Sequence, residues 1–475
     1  MSASPESILC SHHDPTLYNN MTPISPINRL PYDCLSEIFT HACASRPYAA
    51  ENYLNWPKHM IALQLARVCS HWRKVLLSNT GLWSKLEFIH EPPYTQATID
   101  CLHLYLTNSG NHSLTFIIQD SDFQDPEYIV PDSRQSEFMR VLCIEAHRWK
   151  RATFSTKSPF FPAPPGAVAP SLLRLERLTL CYREKVRRQR RDFFMNAPAL
   201  RSVGVQLHKA KKNNFSLPWE QISDLTLLYH SSISRAIHIL PSCSKLQKLK
   251  FSDPLMDFTG PSPSPTVLNG VQSLVIVAMA SSDIIPLFCF PDLVSLTING
   301  LGRTVSPGRE LLSLLSLPRA PQLQCLIFDD TYIPDDLVLD ILALTPLLHT
   351  LEKHTYYFDE LQEVPVTPDF GFFRRLTLTN NFRTNLAPRL KTLKIRVTSG
   401  LPEDLIDMLQ SRLLGISNLA GAVHLDTVVI EGGPRLVSLG VRDQVSQMAG
   451  NQYDFCRLDN LGRKSSVGFS LSKRV

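Results

Sequence analysis

The residues of this sequence that could carry chemistry are few and scattered. Adjacent side chains able to act as acids, bases or metal ligands include His12-His13, Asp335-Asp336 and Glu403-Asp404. The two acidic pairs stand where helices are expected to begin, and the helix dipole stabilises carboxylates there without any catalytic role. The chain contains no Gly-x-x-x-x-Gly-Lys phosphate loop, His-Glu-x-x-His zinc helix or Gly-x-Ser-x-Gly nucleophile elbow. We therefore predict a protein that is not an enzyme, with no catalytic residues, metal site or cofactor.

The cysteines do not suggest a metal site or a disulfide framework. Eleven of them are spread singly from Cys10 to Cys456, their number is odd, and none belongs to a Cys-x-x-Cys pair. Zinc sites and disulfide-rich domains use paired or regularly spaced cysteines. We expect reduced thiols.

One strongly basic stretch stands out from an otherwise balanced charge pattern. Residues 183–212 contain ten Lys or Arg against Glu184 and Asp192, a local charge of +8, so the rest of the chain carries 5 − 8 = −3. Such a stretch is typical of a solvated loop, a nuclear-localisation signal or a patch that binds an acidic partner, and more weakly of nucleic-acid binding. The aromatic residues within this stretch are Phe193 and Phe194, which makes nucleic-acid binding the weakest of these interpretations.

Targeting signals and membrane segments are not evident. Residues 1–26 lack the basic start, apolar run and small-residue cleavage site of a secretory signal. The most apolar stretch, residues 274–290, is interrupted by Ser281, Asp283 and Pro286, whereas a membrane span needs roughly 18 uninterrupted apolar residues. These features predict a cytoplasmic or nuclear protein.

The composition is that of a folded chain made of several units. Hydrophobic residues make up 44% and charged residues 19% of the 475 positions, which is outside the range of disordered proteins. The length exceeds that of one ordinary core, so either several domains or one repeat array is expected.

The first helical signal begins near residue 30. Pro31 suits a first helical turn, and Asp33 and Glu37 place negative charge at the positive end of the helix dipole. The apolar residues Leu35, Ile38 and Phe39 then follow at helical spacing and form one stripe.

A second helical pattern follows after a loop. Apolar residues at spacings of 4, 3, 4 and 3 predict one continuous helical face; they are Ile61, Leu65, Val68, Trp72 and Val75. Asn79 to Gly81 are expected to end this helix and return Trp83 toward the helices before it. The segment is therefore predicted to form three short helices.

The order and spacing of Leu30-Pro31, Leu35, Ile38-Phe39, Val68-Cys69, Trp72 and Leu82-Trp83 resemble the F-box family. The resemblance covers about residues 27–83, although the segment between Cys43 and Lys58 is longer than the turn usual in that family. In F-box proteins this module binds a Skp-type adaptor, which in turn binds a cullin. The adaptor contacts implied here are Leu30, Pro31, Leu35, Ile38, Phe39, Val68, Cys69, Trp72 and Trp83.

The rest of the chain repeats a Leu-x-x-Leu-x-Leu pattern, with apolar substitutes, mostly every 22–26 residues. The pattern starts at Leu175, Leu200, Ile222, Leu246, Val271, Leu293, Leu323, Phe373, Leu390 and Leu425, and weakly at Trp149 and Leu348. Prolines two residues before five of these starts reset the chain ahead of a strand. Apolar stretches between the starts predict helices at residues 310–315, 336–342 and 403–409.

This part resembles leucine-rich repeats over about residues 149–430, although the Asn or Cys usual after the last Leu is nearly absent. The resemblance implies an α/β fold: a three-helix F-box followed by an irregular solenoid with short parallel strands on the concave side and helices on the convex side. The expected divisions are a disordered tail (1–26), the F-box (27–85), a linking helical and strand region (86–148), the repeats (149–430), and a cap with a mobile tail (431–475). Residues expected to face outward from the strands are Thr226, Lys248, Lys250, Thr297, Arg375 and Lys394.

The two resemblances together predict a substrate-recognition subunit of a Skp-cullin-F-box type ubiquitin ligase. The F-box would bind the adaptor, and the repeats would bind an unknown target protein through Lys248, Lys250, Thr297, Arg375 and Lys394. One alternative is a repeat scaffold that binds partners without ubiquitination. A weaker alternative is nucleic-acid binding through residues 183–212.

Overall fold

A computed structural model of the chain describes residues 26–44, 61–90, 94–120, 133–156, 161, 171–182, 192–208, 215–228, 231–252, 265–277, 284–300, 308–316, 321–329, 331, 333–354, 371–379, 385–397, 402–415, 423–432, 439–450, 453–459 and 467–474. Its fold is mixed α/β, with a large, mostly parallel sheet and helices, an arrangement compatible with an α/β solenoid.

The described strands form a large sheet and a small one. Fifteen strands pair in the order β1-β2-β3-β4-β5-β6-β7-β9-β11-β12-β13-β14-β15-β17-β16, and β8 and β10 pair separately. The strands are β1 (Lys85–His90), β2 (Leu114–Asp120), β3 (Trp149–Thr156), β4 (Arg177–Tyr182), β5 (Ser202–Val205), β6 (Asp224–Leu227), β7 (Lys248–Phe251), β8 (Thr266–Val267), β9 (Ser273–Val277), β10 (Phe288–Cys289), β11 (Ser295–Asn299), β12 (Cys325–Asp329), β13 (Thr350–His354), β14 (Thr392–Val397), β15 (Thr427–Gly432), β16 (Tyr453–Asp459) and β17 (Val467–Lys473).

Three helices precede the sheet and the others lie between its strands in chain order. From α7 onward each helix packs against the next. They are α1 (Tyr32–Ala44), α2 (Ile61–Ala66), α3 (Ser70–Ser78), α4 (Gln96–Asn108), α5 (Ser133–Ile144), α6 (Ile233–Ile239), α7 (Gly308–Leu315), α8 (Asp335–Leu344), α9 (Phe372–Leu376), α10 (Pro402–Leu409) and α11 (Leu439–Ala449). The helices predicted at residues 310–315, 336–342 and 403–409 are confirmed as α7, α8 and α10. No helix in the described part of the chain is long and apolar enough to span a membrane.

The sequence pattern places the strands of the large sheet accurately. Each strand in it from β4 to β15 begins two residues after one of the predicted starts, including the weak start at Leu348. The second Leu of each pattern faces the core, and cross-strand pairing aligns these residues in one column from Leu178 on β4 to Val428 on β15. Every member of this column is almost fully buried. The alternation of side chains along a strand leaves the other face of the sheet more open to solvent.

Backbone hydrogen bonds between successive turns fix the register of these strands. The carbonyl of Glu176, just before β4, accepts the N–H groups of Arg201 and Ser202 at 3.0 and 3.1 Å. We call one strand together with the segment that leads to the next strand a coil. The same paired bond recurs from each coil to the next as far as Asp426 and Thr427. Main-chain hydrogen bonds therefore join the coils. The resemblance to leucine-rich repeats would instead suggest the side-chain amide of the usual Asn at this place.

One predicted repeat start is wrong. The residues after Phe373 form helix α9 instead of a strand, and β13 pairs directly with β14. Phe372, Phe373 and Leu376 are buried on this helix. Their spacing suits a helix as well as a strand, and a short apolar run does not distinguish the two. Arg375 consequently lies exposed on α9, away from the sheet face on which it was predicted.

A partly buried ion pair accompanies this insertion. Lys353 on β13 occupies a core-facing position whose neighbours are Phe328 on β12 and Ile395 on β14. Its ammonium pairs with Asp335 at the start of α8 and lies 5.6 Å from the centre of the Phe372 ring. The lysine thus replaces an aliphatic residue at the point where α9 joins the core.

Arg412 hydrogen-bonds to the backbone of the same insertion. Its side chain is fully buried in a π-helical turn, Gln410–Gly415. It donates hydrogen bonds to the carbonyl oxygens of Leu376, Leu386 and Ala387 at 2.7, 2.7 and 3.2 Å. Burial lowers the pKa of Arg412 to about 10, which leaves the guanidinium charged at neutral pH.

Aromatic rings fill the core behind β2 to β5, where the described residues between β3 and β6 include no α-helix. The rings are those of Phe116, Trp149, Phe154, Phe161, Tyr182, Phe193, Phe194 and Phe215. His208 stacks on Tyr182 with ring centres 4.7 Å apart and donates to the Tyr182 carbonyl at 3.1 Å. Burial lowers the pKa of His208, an effect that this hydrogen bond partly offsets.

Both ends of the predicted repeat region continue into the same sheet. Residues 86–148, predicted to be a linking region, supply most of β1 and all of β2. Strand β2 pairs in parallel with β1 on one side and with β3 on the other. Beyond β15, strands β17 and β16 pair antiparallel and close the sheet. The predicted cap and tail at 431–475 therefore includes two strands of the main sheet. The predicted tail at 1–26 lies outside the described residues except for Pro26.

Replacing Arg412 with Met is expected to destabilise the protein by at least about 2 kcal/mol, because three buried carbonyls lose their donor. Urea unfolding of the full chain measures this loss. Arg389 is exposed, and Arg389→Met is the matched control, with an expected effect within about 0.5 kcal/mol. Equal stability of the two variants would show that the buried guanidinium has no structural role.

The lowered pKa of His208 predicts a loss of stability in mild acid. The unfolded chain binds a proton at this residue more readily than the folded chain does, so unfolding is favoured as the pH falls below about 6.5. His208→Gln should therefore show a smaller drop in urea midpoint between pH 7.5 and 5.5 than the wild type. His103→Gln, at an exposed position on α4, should keep the wild-type drop. An unchanged drop in His208→Gln would contradict the assignment.

Candidate functional site

The first three helices form a small module just before the sheet. Tyr32 Oη lies 2.5 Å from Ser78 Oγ, and Asn79 Nδ2 donates to Ser36 Oγ at 2.8 Å. Farther along, the ring of Phe39 packs 4.9 Å from that of Trp72. The start of α1 thus meets the end of α3, and the two helices run antiparallel.

The second predicted helix is interrupted, which corrects the continuous face expected over residues 61–75. Helix α2 ends at Ala66, and α3 begins at Ser70 after a turn. Cys69 has an extended backbone, and its Sγ accepts the Trp72 N–H at 3.4 Å, so that the thiol caps α3. Arg73 Nε donates to the Ala66 carbonyl at 2.9 Å and closes the gap between the helices.

Several of the predicted adaptor contacts lie inside the module. Leu35 and Phe39 are almost fully buried, and Trp72 and Leu30 are half-buried against the same core. Trp83 is also buried, where its Nε1 donates to the Leu76 carbonyl at 2.9 Å. In this conformation these side chains hold the module together, and Leu35, Phe39 and Trp83 offer almost no surface to another protein.

The other predicted contacts are available on the surface. Val68, in the turn between α2 and α3, is 59% exposed, and Ile38 on α1 is 44% exposed. Pro31 is exposed and Cys69 is half-buried. We call Ile27, Tyr32, Ile38, Val68 and Leu77, all of which are exposed, the apolar surface of the module.

The prediction missed three members of this surface. Ile27, Tyr32 and Leu77 are apolar residues next to the quoted motif, and they fall outside its stripes. Whether these residues face solvent depends on how α1 packs on α3. The sequence alone does not give that packing. The long segment between α1 and α2 lies largely outside the described residues, since residues 45–60 are not described.

The outward-facing positions of the sheet carry most of the predicted target-binding residues. Lys248 and Lys250 on β7 are exposed, and Thr226 on β6 and Thr297 on β11 are half-buried on the same face. Lys394 on β14 is already neutralised, because its Nζ lies 2.8 Å from Glu352 Oε1 on β13. Glu352 also lies 3.5 Å from His354.

Two further cations lie on this face and were not predicted. Arg151 on β3 and Arg177 on β4 are exposed, cross-strand neighbours in the same row as Lys248. They stand two residues after the starts at Trp149 and Leu175, which is the position of Lys248 relative to Leu246. The rule that selected Lys248 would therefore also have found them.

Three of the described cysteines lack the properties of reactive thiols. Burial raises the pKa of the Cys101 thiol to about 11 and those of Cys143 and Cys243 to about 12. These thiols therefore stay protonated, unlike reactive cysteines. No group of three or more His, Cys, Asp or Glu within the described residues could hold a metal ion.

The strongly basic stretch cannot be placed as a surface. Its most basic parts, residues 183–191 and 209–214, lie outside the described residues. Of the residues between them, Phe193 and Phe194 are buried in the aromatic core. Nucleic-acid binding through this stretch stays a prediction from the sequence alone.

Comparisons with known proteins do not assign the chain to a group. No protein-family model matches the sequence, and no curated protein matches it.

The thiol cap of α3 leads to a test of the module's local stability. A hydroxyl accepts hydrogen bonds better than a thiol does, so Cys69→Ser should stabilise the start of α3 by about 0.5 kcal/mol, and Cys69→Ala should weaken it. Hydrogen exchange at the Trp72 amide should accordingly be slowest in the Ser variant and fastest in the Ala variant. Cys34→Ser, at an exposed position on α1, should leave this exchange unchanged. Equal exchange rates at the Trp72 amide in the wild type, Cys69→Ser and Cys69→Ala would rule out the cap.

Proposed function

We propose that the protein is the substrate-recognition subunit of a Skp-cullin-F-box type ubiquitin ligase. Helices α1 to α3 form the F-box and bind a Skp-type adaptor. The sheet and its helices form an irregular leucine-rich-repeat domain that binds the target protein. The chain itself does no chemistry in this scheme; it brings the target to the enzyme that carries ubiquitin.

The observation that carries the proposal is the exposure of apolar side chains on a module whose core is already filled. Eleven large apolar side chains of the described residues are exposed, and five of them form the apolar surface of the module. Single exposed apolar residues are ordinary, but a concentration of them marks an interaction site. The module keeps Leu35 and Phe39 for its own core and turns Ile38 and Val68 toward a partner.

The energy of association requires several such anchors. Burying one large aliphatic or aromatic side chain contributes about 1.5–3 kcal/mol. Loss of translational and rotational freedom opposes binding by about 4–15 kcal/mol. Five anchors contribute at most about 7.5–15 kcal/mol, which matches the range of this cost, whereas Ile38 and Val68 alone contribute at most about 3–6 kcal/mol.

The leucine-rich-repeat assignment is supported by the regular relation between sequence pattern and strands. Ten starts from Leu175 to Leu425 each precede a strand by two residues, and the strands pair in parallel in chain order. Stacked coils of this kind present a long sheet face for protein binding. Holding a target there near the adaptor makes ubiquitin transfer effectively intramolecular, which raises its rate without any catalytic residue on this chain.

Adaptor binding tests the proposal. In a pull-down of purified Skp-type adaptor with the full chain, the double variant Ile38→Asp, Val68→Asp should bind at least tenfold more weakly, because two anchors are lost and charge enters an apolar interface. The chain should stay folded, since both positions are exposed. Ile144→Asp is the matched control, at a position 63% exposed on α5 outside the module, and should bind normally.

Full adaptor binding by the double variant would refute the assignment of this surface. Recovery of cullin together with the adaptor distinguishes the receptor from its alternative. A chain that binds adaptor but never recovers cullin is a repeat scaffold that works without ubiquitination.

A further inference from the structure

The outward face of β3 to β7 carries cations that no acidic group of the described residues neutralises. Arg151, Arg177, Lys248 and Lys250 are all exposed. None of them forms an ion pair with a carboxylate in the part of the chain that the structure describes. Arg151 and Arg177 are direct cross-strand neighbours, where like charges repel.

Other charges near these strands are already engaged. Lys150 pairs with Glu176 at 3.6 Å. Arg201 donates to the carbonyls of Pro198 and Leu200 in its own turn, at 2.9 and 3.0 Å. On the later strands Glu352 neutralises Lys394. Unlike these groups, the four cations on the outward face of β3 to β7 have no carboxylate partner among the described residues.

Between the arginines of β3 and β4 and the lysines of β7, the face carries small and mostly polar residues. Thr179, Gly204 and Thr226 are cross-strand neighbours in one row from β4 to β6. A side chain at Gly204 would meet Thr179 Cγ2 at 3.2 Å, so the strands leave little room for a larger residue there. Asp224 on β6 is the cross-strand neighbour of Lys248 and adds one negative charge between the arginines and the lysines.

We propose that this face, which we call the basic strip, binds an extended segment of a protein partner with two acidic clusters separated by uncharged residues. The strip from β4 to β7 spans three strand spacings of about 4.8 Å, roughly 14 Å. An extended chain covers this distance in about four residues. One acidic cluster would pair with Arg151 and Arg177, the other with Lys248 and Lys250, and the uncharged residues would cross Gly204 and Asp224.

A nucleic acid fits this strip less well than an acidic protein segment. The outward side chains of β3 to β7 among the described residues include no aromatic ring on which a base could stack. Asp224 would also repel a continuous line of phosphates, whereas a segment with separate acidic clusters avoids it. Only the identity of the bound segment as a ubiquitination target rests on the proposed function; the binding itself does not.

The probe is a fluorescein-labelled eight-residue peptide with two Glu, a four-residue Ser and Thr spacer and two more Glu. We expect its affinity for the full chain to fall on the order of tenfold in the double variant Arg151→Glu, Arg177→Glu. The control Arg140→Glu, Arg389→Glu makes the same change in net charge at exposed positions away from the strip and should retain binding within about twofold. The Gln version of the peptide should not bind, and salt should weaken binding of the Glu version.

Three results would overturn the proposal: equal peptide affinity in the strip and control variants, no binding of the peptide to the wild type, or tighter binding of a single-stranded RNA of equal charge. Adaptor pull-down on the same proteins separates this proposal from the proposed function. The strip variant should bind the adaptor normally, so a failure of the strip leaves the receptor assignment standing. A wild type that binds the peptide but no adaptor refutes only the receptor.

Discussion

The structure depends on one repeated main-chain interaction, the paired hydrogen bond that joins the start of each strand to the coil before it. Because both donors and the acceptor are backbone groups, the contact from Glu176 to Arg201 and Ser202 is reproduced at later coils whatever side chains stand there. It fixes which residue of each coil begins a strand, and thereby aligns the buried column that begins at Leu178. A one-residue slip would turn that whole column outward, so the hydrophobic core and the backbone ladder enforce the same register.

The coils can vary in length because this register is local. Between β13 and β14 the chain adds α9 without breaking the ladder, since His349 still accepts from Lys391 and Thr392. The added residues bring the carbonyls of Leu376, Leu386 and Ala387 into the core, where the Arg412 guanidinium caps them. Next to this insertion Lys353 pairs with Asp335. Buried ionic groups that are fully hydrogen-bonded define one packing arrangement, whereas their partial loss is strongly destabilising.

The sequence predicted the strands well and the boundaries of short helices poorly, for physical reasons. A strand start is marked by apolar residues at fixed spacing in every coil, so Leu348 was correctly included although its pattern is weak. Phe373 failed because its apolar run also suits a helix, and the break at Cys69 was missed because a thiol is an unusual cap. In the module, Leu35 and Ile38 belong to one predicted stripe, yet Leu35 is buried and Ile38 is exposed. Only the packing of α1 against α3 separates them, and a single sequence does not contain that information. Arg151 and Arg177 are different, because their outward positions followed from the strand pattern and only their cross-strand adjacency required the structure.

Trp83 determines how the two candidate surfaces relate to each other. It follows the module, lies immediately before β1, and is buried between the Leu76 carbonyl and the ring of Tyr105 on α4, whose centre is 5.0 Å away. Tyr105 Oη in turn accepts the Leu63 N–H of α2 at 3.4 Å. The module is therefore packed onto the first coil of the sheet, and no free linker lies between α3 and β1. A receptor that works by proximity gains from such a joint, because a fixed distance between adaptor and target loses less entropy on binding than a flexible one. Hence the burial of Trp83, which removes it as a direct contact with a partner, gives the proposed receptor a joint that fixes the module to the first coil of the sheet.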